Sequence, residues 1–92
     1  MGRHEEIATK RGVAVYALNE ISSDVVLLLK SEYSERMWFL LHSQLSPILV
    51  CAWYRRPDSG KILSITSLRQ EYMKFKEDVI GTIIIGDLNV HA

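Results

Sequence analysis

The sequence predicts an α/β (α+β) fold in which one helix covers a mixed β-sheet. Short apolar segments rich in β-branched residues recur along the chain and end at polar turn residues, as strands do. One longer segment repeats its apolar residues at spacings of three and four, which is typical of an amphipathic helix. The resulting order is strand, strand, hairpin, helix, strand, which favours a layered architecture of sheet and helix.

The first two predicted strands span residues 12–18 and 24–30. The second is a continuous run of valine and leucine that suits a buried strand, with a short helix as the alternative. Residues 1–11 precede them and are interpreted as a polar N-terminal tail, so the domain is expected to occupy residues 12–92. His4 and the two glutamates beside it are interpreted as solvated tail residues rather than metal ligands, because no rigid element is expected to hold them.

A hairpin is predicted next, from two alternating segments at residues 35–42 and 48–54. Both segments carry large apolar residues on each face, which indicates strands inside a sheet. Trp38 and Trp53 are therefore expected in the core rather than on a nucleic-acid surface. Cys51 lies in the same apolar run and is expected to be a buried, inert thiol.

The helix is predicted over residues 64–80, with Ser64 or Ser67 as its N-cap and Gly81 as the residue that ends it. The apolar stripe that should face the sheet consists of Ile65, Leu68, Tyr72, Phe75 and Val79. A last strand follows at residues 82–86. Its three consecutive isoleucines predict burial on both faces, because each side of the pleat is apolar.

Composition narrows the functional classes. The 92 residues suffice for one domain or part of one, and a 48% hydrophobic fraction is that of an ordinary globular protein. Eleven basic and eleven acidic residues cancel, which argues mildly against a free-standing DNA-binding domain. A single cysteine favours a reducing, intracellular compartment, and no apolar stretch has the length of a membrane helix.

Two polar clusters follow predicted strands, where loops commonly carry functional groups. One is Tyr54-Arg55-Arg56-Pro57-Asp58, and the other is Gly86-Asp87-Leu88-Asn89. Asp87 and Asn89 are two residues apart, so in an extended chain their side chains project to the same side. A carboxylate that orients water beside an amide donor suits phosphodiester hydrolysis, although the same two residues also suit a simple turn.

Three segments together carry a resemblance to a known family: RGVAVYAL, AWYRRPDSG and TIIIGDLNVHA, in that order and with a helix between the last two. They resemble the endonuclease/exonuclease/phosphatase superfamily, particularly the endonuclease domains of non-long-terminal-repeat retrotransposons. The resemblance implies part of a four-layered α/β-sandwich. It also implies cleavage of DNA phosphodiesters with magnesium as cofactor, and action in the nucleus.

The resemblance assigns roles to individual residues. Asp87 would position or deprotonate the attacking water, Asn89 would hydrogen-bond the scissile phosphate or support Asp87, and Tyr54 would present its hydroxyl to the phosphate. Arg55 and Arg56 are candidate phosphate ligands, because guanidinium groups bind phosphate bidentately. Two residues depart from the family pattern: Asp58 stands where asparagine is frequent, and Arg56 where a second proline is common.

The resemblance also implies that the site is incomplete. The family's main metal ligands, an Asn and a Glu, and its final Asp-His pair have no counterpart in residues 1–92, and His91 is interpreted as a loop residue. The chain is therefore expected to be inactive alone and to self-associate through apolar faces near residues 25–29 or 37–41. Two alternatives stay open: a non-catalytic remnant or interaction module, and a phosphatase of the same superfamily.

Overall fold

The computed structural model describes residues 3–10, 13–20, 24–42, 47–54 and 61–86. Six strands and one α-helix are found in this part of the chain. In chain order they are β1 (His4–Lys10), β2 (Val13–Leu18), β3 (Val25–Lys30), β4 (Glu35–Leu41), β5 (Ile48–Tyr54), α1 (Lys61–Phe75) with a 3-10 turn (Lys76–Asp78), and β6 (Gly81–Ile85).

The strands form two sheets. Strands β3, β4, β5 and β6 lie in that order in a four-stranded sheet, in which β5 and β6 are parallel and the other neighbours are antiparallel. This confirms a mixed sheet with α+β character. The hairpin of β4 and β5 is paired from Glu35↔Tyr54 to Leu41↔Ile48, and both strands have neighbours on each side, as predicted.

Strands β1 and β2 form a separate antiparallel pair, from His4↔Leu18 to Lys10↔Val13. The predicted N-terminal tail is therefore wrong for His4–Lys10, which is a strand. The physical reason lies at Ile7 and Ala8, two apolar residues within a polar stretch. Ala8 is buried and Ile7 packs beside it, which gives the strand an apolar side to cover.

The central sheet has a core on each face because the side chains of β4 and β5 alternate. Met37, Phe39 and Ala52 form a cluster on the face toward β1 and β2. Trp38, Leu49, Cys51 and Trp53 form a second cluster on the face toward α1, which confirms the predicted burial of both tryptophans and of the cysteine. The expected open face at residues 37–41 is wrong for Met37, Trp38 and Phe39, which are 0–1% exposed.

Helix α1 begins three residues earlier than predicted and gives way to the 3-10 turn after Phe75. Leu68, Tyr72, Phe75 and Val79 pack against the second cluster, as the apolar stripe predicts. Ile65 does not, since 63% of it is exposed. It lies near the start of the helix and lines a groove beside β6, the edge strand of the described sheet.

Both predicted helix ends are wrong. Ser64 and Ser67 lie inside α1 rather than at its N-cap, and Ser67 is buried. The chain leaves the helical turn at Val79 in an extended conformation, with φ −130° and ψ 153°, so Gly81 opens β6 rather than ending the helix.

Strand β6 is found where a strand was predicted, but its predicted burial on both faces is wrong. Ile83, Ile84 and Ile85 are 49%, 44% and 51% exposed. The reason is position, because β6 lies at one edge of the described sheet and has β5 as its only described neighbour. Within the described residues, no helix is long and apolar enough to cross a membrane.

Candidate functional site

The parallel pairing of β5 and β6 brings two sequence-predicted segments together. The register runs from Ile48↔Gly81 to Ala52↔Ile85, so the carboxyl ends of the two strands lie side by side. Tyr54 is the last residue of β5, and Gly86 follows β6 directly. Polar loops after neighbouring parallel strands are a common place for binding groups in such sheets.

Gly86 holds this junction in a conformation that other residues rarely adopt. Its φ is 132°, and a Cβ built on it would overlap the main-chain carbonyl oxygen of Trp53. Glycine is therefore required twice, once for the backbone angle and once for the close approach to β5. The glycine of the Gly-Asp-x-Asn sequence thus has a local physical role that does not depend on any family resemblance.

A cavity opens beside these strand ends, on the face of the sheet toward β2. Ala52, Trp53 and Tyr54 contribute the β5 side, and Ile85 and Gly86 contribute the β6 side. The opposite wall consists of β2 residues Val13, Ala14, Val15 and Tyr16. Of the described lining residues, Tyr54 and Tyr16 contribute phenols, whereas the Trp53 indole belongs to the cluster on the opposite face of the sheet.

Tyr54 is the one predicted catalytic residue that the structure describes. It is partly buried at the cavity. Its phenol O–H can donate a hydrogen bond to a phosphate oxygen. Asp87 and Asn89 lie outside the described residues, as do Arg55 and Arg56. The predicted approach of Tyr54 to Asp87 therefore stays a prediction, and so do the proposed phosphate contacts of the two arginines.

On the other face of the sheet lies a buried polar network that the sequence analysis missed. The carboxylate of Glu71 accepts hydrogen bonds from Arg36 Nε at 2.8 Å, Trp38 Nε1 at 2.8 Å and Ser31 Oγ at 2.5 Å. Arg36 Nη2 donates to Ser67 Oγ at 2.9 Å. Arg36 and Glu71 are 0% and 2% exposed, so this ion pair is buried.

The network also reaches the strand that ends at the cavity. The Arg36 guanidinium carbon lies 4.6 Å from the centroid of the Trp53 ring, and Trp53 Nε1 donates to Ser34 Oγ at 2.7 Å. Trp53 is the residue whose carbonyl oxygen lies against Gly86. Helix α1, strand β4 and the end of β5 are thus joined by one set of charge-assisted and aromatic contacts.

A sequence signal for this network exists. Arg36 and Trp38 are two residues apart in β4 and must share a face of the sheet. Ser67 and Glu71 are four residues apart in α1 and border the apolar stripe at Leu68 and Tyr72. An arginine beside a buried tryptophan, and a glutamate beside the buried side of a helix, are together the pattern of a buried ion pair.

Cys51 is excluded as a nucleophile by its surroundings. The residue is 0% exposed, and burial raises the pKa of its thiol from 9.0 to about 12, with Arg36 lowering this pKa and Glu71 raising it to smaller extents. A thiol with that pKa carries almost no thiolate near neutral pH. The prediction of a buried cysteine is confirmed.

Among the described residues, no three of His, Cys, Asp or Glu come together as a group that could hold a metal ion. The expectation of magnesium therefore depends on the resemblance alone. Compared with protein-family models, with curated proteins and with solved structures, the chain matches none of them.

Proposed function

We propose that this chain carries part of the framework of a magnesium-dependent phosphodiesterase, a DNA endonuclease of the retrotransposon type that acts in the nucleus. The observation that carries the proposal is the adjacency of the β5 and β6 carboxyl ends. The Tyr-Arg-x-Pro segment starts at the end of one strand, and the Gly-Asp-x-Asn segment starts at the end of the other. A four-layered sandwich completed around this sheet belongs to the same proposal.

In this proposal the chain's own residues bind and orient one phosphodiester. Tyr54 donates its hydroxyl to a phosphate oxygen, while Arg55 and Arg56 neutralise the backbone charge. Asp87 positions the attacking water, and Asn89 donates its amide to the phosphate or to Asp87. Magnesium would supply stabilisation of the charge that develops on the phosphate and on the leaving oxygen.

The proposal includes that residues 1–92 do not cleave DNA by themselves, because the family's main metal ligands have no counterpart among them. We therefore expect no magnesium-dependent nicking of supercoiled plasmid above that of an Asp87→Ala variant. Nicking that depends on Asp87 would contradict the expected inactivity of the chain, and it would support the phosphodiesterase assignment.

Binding tests the assignment more directly than cleavage. A short DNA duplex titrated with magnesium into the isotope-labelled chain should shift the NMR signals of the Gly86 amide and the Tyr54 ring together. Tyr54→Phe should weaken that binding by roughly ten- to a hundredfold, since a hydrogen bond to a charged acceptor contributes about 1.5 to 3 kcal/mol. Tyr33→Phe is the matched control, because Tyr33 is 60% exposed and does not line the cavity.

A second candidate, a non-catalytic interaction module, is favoured by the mainly apolar lining of the described part of the cavity. It predicts that neither Gly86 nor Tyr54 responds to DNA, with or without magnesium. Equal affinities for the Tyr54→Phe and Tyr33→Phe variants would also select it over the endonuclease. A phosphatase of the same superfamily would instead respond at Gly86 and Tyr54 to a small phosphate monoester and not to DNA.

A further inference from the structure

Strand β6 presents an unusual edge. It is bonded to β5 along one side, and no described strand lies along its other side. A strand in that position offers a row of main-chain N–H and C=O groups to a further strand. Its side chains are apolar on both faces, and Ile83, Ile84 and Ile85 are each about half exposed.

Two apolar grooves border this edge, one on each face of the sheet. The helix-side groove lies between α1 and β6 and is lined by Ile65, Leu68, Tyr72, Thr82 and Ile84, together with Trp38 and Arg69. The β2-side groove lies on the opposite face, where Ile85 borders Val15 and Tyr16. Ile65, which lines the helix-side groove, is 63% exposed.

The opposite edge of the sheet is protected, and β6 is not. Strand β3 has a register irregularity between Leu27 and Leu29 and ends in Lys30, and bulges and lysines are two devices that prevent edge-to-edge pairing. Strand β6, Gly81–Ile85, contains no charge, no proline and no register irregularity in its pairing with β5.

The geometry fixes what kind of group can occupy this edge. An occupant must hydrogen-bond to the main chain of β6 and place apolar side chains into both grooves at once. An extended strand with apolar residues at successive positions does this, because its side chains alternate between faces. Strand β6 is itself such a strand, and a formal net charge of zero leaves no overall repulsion between two copies.

We propose that β6 pairs with β6 of a second copy of this chain, antiparallel about a twofold axis. Such an isologous contact joins two four-stranded sheets into one continuous sheet and closes both edges together. Ile84 of each copy then contributes to the helix-side groove of the other, and Ile83 and Ile85 contribute to the β2-side groove. This inference does not depend on the phosphodiesterase proposal, since it uses none of the polar residues that are proposed there to bind the phosphodiester.

The test is the oligomeric state as a function of concentration, measured by sedimentation velocity. The unaltered chain should form dimers, and Ile83→Lys or Ile84→Lys should raise the dissociation constant by at least about tenfold, because each buries an unpaired charge at the centre of the contact. Ile80→Lys is the matched control. Ile80 is 64% exposed and precedes β6, so its substitution should leave the dimer unchanged.

Hydrogen exchange separates strand pairing from contact between apolar patches. Amides of β6 should become more protected as the unaltered chain dimerises, and this gain should be absent in the two lysine variants. A dimer that survives both β6 variants but dissociates in Val26→Lys, at the β3 edge, would overturn the proposal. A chain that stays monomeric with strongly protected β6 amides would also overturn it and assign the edge to another segment of the same chain.

Discussion

The centre of the sheet and its β6 edge are equally apolar in sequence, yet they differ sharply in the structure. Met37, Trp38 and Leu49 in β4 and β5 are 0% exposed, whereas Ile83 and Ile85 in β6 are 49% and 51% exposed. An apolar sequence therefore indicates that burial of the strand is favourable. Whether the strand is buried depends on the elements that lie beside it. Strands β4 and β5 have a strand on each side and a layer on each face, and β6 has one described neighbour.

Polar residues show the same contrast in reverse. Arg36 and Glu71 belong to residue types that are almost never fully buried unless paired, and both are buried at the centre. They are held there because one carboxylate accepts three donors and the guanidinium stacks on Trp53. Under α1, polar and apolar contacts therefore hold the same helix against the same face of the sheet, whereas no such combination is found at the β6 edge among the described residues.

The largest effect is expected from breaking the central network. Glu71→Ala should lower the free energy of unfolding by about 3–5 kcal/mol, because it leaves Arg36 buried without its counter-charge. Glu77→Ala, at an exposed position in the 3-10 turn, should change it by less than about 0.5 kcal/mol. Urea denaturation of both variants measures the difference.

A double variant distinguishes the effect of the uncompensated charge from the effect of lost contacts at this site. Arg36→Met with Glu71→Leu replaces the ion pair with apolar side chains, and such replacements are often nearly neutral. Recovery of most of the lost stability would assign the loss to the uncompensated charge. If the double variant is as unstable as Glu71→Ala, the network contributes through its shape and hydrogen bonds instead.

A smaller effect is expected where the centre meets the edge. Gly86→Ala should cost roughly 1–3 kcal/mol, because its φ of 132° is strained for other residues and the added Cβ meets the Trp53 carbonyl oxygen. Gly81→Ala is the control within the same strand, since nothing lies within 4 Å of a Cβ there. The two variants should differ in unfolding free energy and in the chemical shift of the Trp53 carbonyl carbon. Equal behaviour of both would mean that the β5–β6 junction tolerates displacement.

Much of this fold follows from local sequence patterns, and the errors have physical causes. Alternation predicts the hairpin of β4 and β5, and the three-four spacing predicts the packed face at Leu68 and Phe75, because both signals depend only on neighbours along the chain. The strand at His4–Lys10 was missed because its pairing with β2 overrides a polar composition. Exposure of Ile65 was missed because it depends on the width of the sheet beneath the helix.

For the candidate site, the sequence predicts which strand ends carry polar segments, and the parallel register of β5 and β6 brings those ends together. Tyr54 was chosen because the resemblance assigns its hydroxyl to the phosphate, and alternation predicted only that a strand ends there. The buried Arg36–Glu71 pair was not chosen, because each partner alone resembles a surface residue. Only their shared proximity to Trp38, 33 residues from Glu71 along the chain, makes burial favourable.

The smallest expected effect is a pH dependence that originates at Cys51, in the centre of the sheet. Burial raises the pKa of this thiol to about 12 in the folded chain, from 9.0 as the reference value for an unfolded one. Above pH 9 the unfolded chain loses the thiol proton while the folded chain keeps it, so the unfolded state binds fewer protons and stability falls as pH rises. The loss should approach about 1.4 kcal/mol at pH 10.

The control is Cys51→Ala, which lowers stability at every pH through lost packing. It should remove the contribution of this thiol to the slope of the unfolding free energy between pH 9 and 10. Parallel stability curves for the two chains across that interval would show that the thiol ionises as readily when folded as when unfolded, and that the centre of the sheet is more accessible to water than its burial implies.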